Sequence, residues 1–144
     1  MINLYLCSFA SSDLKNSIKR FAKQAKENSL YKEVKIFGWN DLSLNKKKQI
    51  EAFIKKNNKR LFGYACWKPE IILNYLNKIP KDSILQYSDI GCHLNKYGLE
   101  RLKYYLDFVN KNDILAASNL LKFRSLAAVI VIPDLLTPGT KDNT

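Results

Sequence analysis

The sequence predicts an α/β fold with a mostly parallel sheet and helices on both of its faces. Short apolar runs typical of strands alternate with longer stretches in which apolar residues recur at helical spacing. Parallel strands need long crossovers and are buried on both sides, and this alternation supplies both features. With 144 residues, 47% of them hydrophobic, the chain is large enough for one domain with its own core.

The first half of the chain predicts two strand and helix pairs. The apolar run 2–7 indicates a strand, and Ser11-Ser12-Asp13 is placed to cap the helix after it. The run 34–37 indicates a second strand, which ends at Gly38-Trp39-Asn40-Asp41 before a lysine-rich helix. The inner faces of these two helices are predicted at Leu14, Ile18, Phe21, Ala22 and Ala25, and at Ile50, Phe53 and Ile54.

The second half continues the alternation. Pro69, whose φ is preset, opens a helix with an inner face at Ile71, Ile72, Tyr75 and Leu76. A buried strand at 83–88, an amphipathic helix near 99–109 and a strand-like run at 114–117 follow. We therefore expect one α/β domain over residues 1–117 and an atypical tail over residues 118–144 that contains an apolar run.

Charge favours an anionic partner without selecting one. The chain has 24 Lys and Arg against 13 Asp and Glu, a formal charge of +11. Much of the excess lies in Lys46-Lys47-Lys48 and between Lys55 and Arg60. These residues fit either a solubilising helix face or a nucleic-acid or anion-binding module without catalysis, although single-strand binders interleave aromatics with such lysines.

Cysteine usage and hydropathy predict a cytoplasmic protein. The three cysteines, Cys7, Cys66 and Cys92, lack the spacing of a disulfide framework or a zinc site. The apolar amino terminus is too short for a signal peptide, and no segment is long enough to span a bilayer. Any membrane association is therefore expected to be peripheral, at the inner face of the membrane.

Two loops follow predicted strands at the position where α/β sheets bind ligands. In the first, Ser8 to Asp13, serine hydroxyls and a helix N-terminus suit a phosphate, although Ser11 and Asp13 fit equally as helix caps. Neither G-x-G-x-x-G nor G-x-x-x-x-G-K-[ST] occurs, which argues against a dinucleotide dehydrogenase and a P-loop NTPase.

The second loop, Asp89 to Asn95, carries the stronger prediction. Asp89 directly follows the buried strand, where its carboxylate suits Mg²⁺ or Mn²⁺ beside a pyrophosphate. Gly91 would let the backbone approach a ligand, and His93 or Asn95 would add a polar contact. The alternative is an ordinary turn in which Asp89 caps and Gly91 adopts an unusual dihedral angle.

An aromatic and basic element precedes this strand. Tyr64 and Trp67 suit stacking on a base or sugar, and Lys68, beside a helix N-terminus, suits a phosphate. A hydrophobic staple followed by a helix-opening proline explains the same residues without a ligand.

These two elements together resemble a known family. Phe62-Gly63-Tyr64-Ala65-Cys66-Trp67-Lys68-Pro69 followed by Gln86-Tyr87-Ser88-Asp89-Ile90-Gly91-Cys92 is similar to motifs of bacterial nucleotide-sugar glycosyltransferases of the GT-A type from capsule and lipopolysaccharide gene clusters. The resemblance covers residues 2–115 and implies a Rossmann-like, donor-binding half. It implies transfer of a sugar from a nucleotide-sugar donor to a surface-glycan acceptor. It places the donor at Ser8, Ser11, Tyr64, Trp67, Lys68, Asp89, Gly91 and Asn95, with a divalent cation (Mn or Mg) at Asp89.

The chain departs from the family in two places. The second Asp of the family's acidic motif is replaced by Gly91, and the resemblance ends after Ala117. The missing acceptor half indicates a truncated chain, whose exposed sheet edge predicts self-association and little transfer by the chain alone. No specific nucleic acid is expected as a partner. A structural α/β domain without chemistry is the remaining alternative.

Overall fold

The computed structural model describes residues 3–56, 65–81, 83–112, 114–118 and 126–131. Its strands are β1 (Asn3–Phe9), β2 (Glu33–Phe37), β3 (Ser83–Ser88), β4 (Ile114–Ser118) and β5 (Leu126–Val131). The helices of these ranges are α1 (Lys15–Asn28), α2 (Leu44–Lys56), α3 (Lys68–Leu76) and α4 (Leu99–Asn112). Short 3-10 turns occupy Trp39–Asp41 and Lys96–Gly98.

The described strands form one sheet in the order β2-β1-β3-β5-β4. β1 pairs in parallel with β2 on one side and with β3 on the other, as the alternation of strands and helices predicts. β5 runs antiparallel to both of its neighbours, β3 and β4. The α/β class is therefore confirmed, whereas the predicted mostly parallel sheet is found only in β1, β2 and β3, because both pairings of β5 are antiparallel.

The carboxyl-terminal apolar run belongs to this same sheet. Residues 118–144 were expected to form a tail outside the domain, but Leu126–Val131 lies between β3 and β4. A run of Val, Ile, Leu and Ala satisfies its backbone polar groups most readily by pairing with open strands, and β3 offers such an edge. β5 covers the edge of β3 that a sheet ending at residue 117 would leave open.

Helices cover both faces of the sheet, as predicted. Alternate residues of β1 point to opposite faces. Cys7 and Phe9 pack with residues of α2 and α3, whereas Leu4 and Leu6 pack with residues of α4 and α1 respectively. The resulting hydrophobic layers hold the carboxyl ends of β1, β2 and β3 at one edge of the sheet.

The start of α1 differs from the prediction. The helix begins at Lys15 with Leu14 as its N-cap residue and without a side-chain cap, so the predicted cap by Ser11 to Asp13 is wrong. The Leu14 N–H donates to the Ser11 carbonyl, at 3.1 Å, and this backbone turn precedes the helix. Leu14 is 38% exposed and Ala22 is exposed, so neither belongs to the predicted inner face.

The start of α3 agrees with the prediction. Pro69 lies in its first turn, where the missing N–H costs nothing. The inner face at Ile71, Tyr75 and Leu76 is buried. Ala65, just before the helix, has a φ of 57°, in the left-handed region that residues with a Cβ seldom adopt. The backbone is therefore bent sharply where it delivers Trp67 and Lys68 to the sheet.

Within the described ranges, no helix is both long enough and apolar enough to cross a membrane.

Candidate functional site

The connections around β1 create a crevice at the carboxyl edge of the sheet. The chain leaves β1 through α1 to reach β2 on one side, and it returns through α2 and α3 to β3 on the other side. In open α/β sheets, ligands bind where the strand order reverses in this way. The residues that follow β1 and β3 are thus at the position where the topology predicts a site.

Asp89, which follows β3 directly, forms an ion pair with Lys68. The Lys68 Nζ atom lies 2.8 Å from Asp89 Oδ1 and 3.1 Å from Oδ2. The side chains are 14% and 29% exposed respectively, so the pair is partly withdrawn from water. The Tyr87 hydroxyl donates to Asp89 Oδ1 at 2.9 Å. The side chains of Lys68 and Tyr87 therefore converge on one carboxylate.

Aromatic rings surround the ammonium group of this pair. Lys68 Nζ lies 5.8 Å from the centroid of the Trp67 ring and 5.5 Å from that of Tyr87, within the range of cation–π attraction. Burial, with Asp89 as the next cause, raises the pKa of Tyr87. Tyr87 therefore remains a phenol that donates to the carboxylate, and the rings hold the cation in a defined place.

Trp67, next to Lys68 in the chain, packs against the sheet. It is 7% exposed, and its ring stacks on Phe9 at a centroid distance of 4.2 Å and an angle of 23°. Phe9 is level with Asp89 on the neighbouring strand, since Cys7 pairs with Tyr87. A ring packed in this way offers little surface to a base or sugar, so the stacking predicted for Trp67 does not fit its position.

A second cation adjoins the turn that begins at Asp89. Arg20 of α1 donates through Nη2 to the Ile90 carbonyl at 2.7 Å, and its other terminal nitrogen contacts the exposed His93 ring. Burial, followed by the charge of Asp89, raises the pKa of Cys92, while the charges of Lys68 and Arg20 oppose this rise. Two cations and one carboxylate thus act on the same turn, which leaves a net positive charge there.

Other predicted residues of the Asp89 loop have local structural roles. Asn95 is exposed, and its Oδ1 accepts a hydrogen bond from the Tyr97 N–H at 2.9 Å, so it caps the 3-10 turn. Gly91 is exposed, and its φ lies outside the left-handed region. A Cβ built on Gly91 meets nothing within 4 Å. The unusual dihedral angle considered for Gly91 is therefore absent, and its neighbourhood is open.

The predicted serines lie at different depths. Ser8 is completely buried within β1, and its hydroxyl oxygen has no hydrogen-bond partner among the described residues, so it does not line an open loop. Ser11 is half-buried, and its hydrogen bond to Asp13 lowers the pKa of that carboxyl group. Tyr64 lies outside the described residues.

Sequence reasoning missed a hollow between the ends of β1 and β2. It has a volume of about 370 Å³ and is lined by Ala10, Ser12, Ile18, Ile36, Phe37, Gly38, Trp39, Asn40 and Asp41. Trp39 is half-buried, with Lys47 Nζ 5.9 Å from its ring centroid, and Asp41 Oδ2 accepts from the Gly38 N–H at 2.7 Å. The rule used for β1 and β3 also applies to β2, because the segment 38–41 follows a strand parallel to both.

Among the described residues, Asp89 belongs to no cluster of potential metal ligands. In the part of the chain that the structure describes, no group of three or more His, Cys, Asp and Glu side chains comes together. Asp89 is the only predicted ligand at the edge, and Lys68 contacts both of its oxygens. The predicted divalent cation remains a prediction.

Comparison of the chain with protein-family models, with curated proteins and with solved structures finds no match. The functional argument therefore depends on the chain's own geometry.

Proposed function

We propose that this chain binds a nucleotide-sugar at the carboxyl edge of β1, β2 and β3 and forms the donor-binding part of a glycosyltransferase. The observation that carries the proposal is the Lys68–Asp89 ion pair at the point where the strand order reverses, with a hollow at the end of β2 on the same sheet edge, on the far side of β1. Exposed salt bridges contribute little to stability. A partly buried pair that joins a helix to a strand end, at the crevice where ligands are expected, therefore indicates a binding role.

The diphosphate of the donor is assigned to the turn after β3. Lys68 and Arg20 act on that turn against the single carboxylate of Asp89. Part of the Lys68 side chain is in contact with the low-dielectric interior, where its attraction for a phosphate exceeds that of an exposed lysine. The chain's formal charge of +11 adds a long-range attraction for the same anion.

The nucleoside is assigned to the hollow lined by Trp39. Its volume of about 370 Å³ falls in the range of roughly 300–1,000 Å³ for small-molecule pockets. It combines apolar walls with the polar groups of Asn40 and Asp41, which suits a flat base attached to a hydroxylated sugar. Both assigned regions lie at one sheet edge, because parallel strands end on the same side.

The reaction we propose is transfer of the donor's sugar to a surface-glycan acceptor, in agreement with the family resemblance. The described residues account for donor binding, and no base or nucleophile is assigned among them.

Calorimetric titration with UDP, GDP and ADP tests donor binding, first in buffer with Mn²⁺ and then with EDTA. We expect at least one nucleotide to bind, and Trp39→Ala to weaken it about tenfold through loss of base stacking. Trp39→Phe is the matched control that keeps an aromatic ring. Thermal melting of each variant confirms that it is folded at the titration temperature.

Failure of all three nucleotides and of their sugar conjugates to bind in either buffer would overturn the proposal. Tight binding of a single-stranded oligonucleotide that falls steeply with salt, without competition from any nucleotide, would instead support the basic nucleic-acid module.

A further inference from the structure

The ion pair at the end of β3 also indicates which cation neutralises a bound diphosphate, a divalent metal or the Lys68 ammonium. A divalent metal held by Asp89 would lie about 2.1 Å from one of its oxygens. The Lys68 ammonium already lies 2.8 and 3.1 Å from those two oxygens. Two cations at these distances repel one another strongly in a partly buried setting, so the carboxylate suits one of them at a time.

The surroundings of the pair favour the ammonium. Metal sites of this kind use several oxygen ligands, whereas the described residues bring no group of three or more His, Cys, Asp and Glu side chains together around Asp89. The rings of Trp67 and Tyr87, both within 6 Å of Lys68 Nζ, attract a monovalent ammonium and offer no oxygen ligand in their faces. The Tyr87 hydroxyl donates its hydrogen bond to Asp89 and so is not turned toward a metal as a ligand.

We propose that Lys68, held by Asp89, takes the place of a divalent metal and directly neutralises the diphosphate of the bound nucleotide. This inference rests on the proposed function. Asp89 is then a positioning residue that orients the ammonium, and a phosphate oxygen shares or replaces its contact with Lys68.

The two possible cations predict opposite effects for the same two variants. If Lys68 serves the diphosphate, Lys68→Met weakens nucleotide binding about tenfold or more, the usual size of a lost charged hydrogen bond. Asp89→Asn then leaves binding equal or up to about tenfold tighter, because the amide oxygen still accepts from Lys68 while the competing negative charge is removed. If a metal neutralises the diphosphate instead, Asp89→Asn abolishes metal-dependent binding. Lys68→Met then frees the carboxylate for the metal and preserves binding.

The experiment titrates wild type, Lys68→Met and Asp89→Asn with the nucleotide that binds, in EDTA and in Mn²⁺. Lys55→Met, which removes an exposed lysine of α2, is the matched control for charge. Electron paramagnetic resonance of Mn²⁺ with the nucleotide-free protein provides a readout independent of nucleotide binding. We expect full binding in EDTA, loss in Lys68→Met alone, and no protein-bound Mn²⁺ signal.

Binding by wild type that appears only with Mn²⁺, or a Mn²⁺ signal that Asp89→Asn removes, would overturn this inference and leave the proposed function intact. Absence of nucleotide binding by wild type in both buffers would overturn the proposed function itself. If Asp89→Asn does not fold, the comparison of EDTA with Mn²⁺ in wild type and Lys68→Met decides the question.

Discussion

The buried side chains on the two faces of the sheet differ in composition and in how they cluster. On the face covered by α2 and α3, the buried side chains form one cluster rich in aromatic rings. On the face covered by α1 and α4, they form two smaller clusters around Phe21 and Val109. Polar side chains are buried on this second face: Gln86 donates to Ser88 Oγ at 3.0 Å and accepts from the Tyr31 hydroxyl at 3.2 Å.

This difference accounts for the position of the Lys68 ammonium. Aromatic rings stabilise a nearby cation, so the first face can carry the Lys68 ammonium at its edge. On the second face, Gln86 meets the Ser88 and Tyr31 hydroxyls in neutral hydrogen bonds, which hold the strands but carry no net charge. The first face therefore carries the Lys68–Asp89 pair, whereas Arg20 of α1 approaches the turn after β3 from the second face.

The largest expected effect is on the aromatic face. Trp67→Ala removes the ring that stacks on Phe9 and should lower the free energy of unfolding by about 3–5 kcal/mol. Urea denaturation measures this change, with Trp39→Ala as the control because that ring is only half-buried. A cost below about 1 kcal/mol for Trp67→Ala would show that the stacked cluster does not stabilise this face.

A smaller effect is expected on the polar face. Tyr31→Phe leaves the Gln86 carbonyl oxygen without its donor and should cost about 1–2 kcal/mol at neutral pH. Urea denaturation at pH 7 measures it. Gln86→Leu in the Tyr31→Phe background should add less than Gln86→Leu alone, because the two residues share one hydrogen bond. Strict additivity of the two changes would contradict the contact.

Tyr31 also predicts a pH dependence. Burial raises the pKa of Tyr31 from 10.0 to about 12. The unfolded chain therefore loses this proton near pH 10 and the folded chain near pH 12, so the stabilisation is complete below pH 10 and lost between the two values. Denaturation between pH 9 and 12 should show a shallower decline for Tyr31→Phe than for wild type, by about 1.4 kcal/mol per pH unit at most. Equal slopes of the unfolding free energy against pH for the two proteins would contradict the burial of Tyr31.

The smallest expected effect concerns Ala65 and Ser29, two residues whose backbone lies in the left-handed region. Ala65 has a φ of 57°, so Ala65→Gly should stabilise the fold by about 1 kcal/mol. Ser29, the C-cap residue of α1 with a φ of 51°, is the matched comparison. Ser29→Gly should gain less, because the Ser29 hydroxyl donates to the Lys26 carbonyl at 3.3 Å. Thermal melting measures both, and a destabilising Ala65→Gly would contradict the bend before α3.

The predictions from sequence succeeded where a local pattern was sufficient. The buried strand at Ser83–Ser88 and the helix opened by Pro69 follow from apolar runs and from the preset φ of proline. The prediction for the start of α1 was wrong, because a backbone turn from Ser11 to Leu14 takes the place of the side-chain cap that these residue types favour. The hollow at Trp39 was missed because its lining comes from two loops, the helix α1 and the strand β2.

The sequence by itself determined the α/β class, the inner faces of α2 and α3, and the placement of Asp89 at the end of a buried strand. These properties depend on periodicity and on neighbours along the chain. Only the tertiary structure decided that Lys68 contacts both oxygens of Asp89, that Trp67 is a buried support, and that β5 lies between β3 and β4. Those contacts join residues 21 or more positions apart, or pair strands out of chain order, and such pairings depend on how helices and sheet pack together.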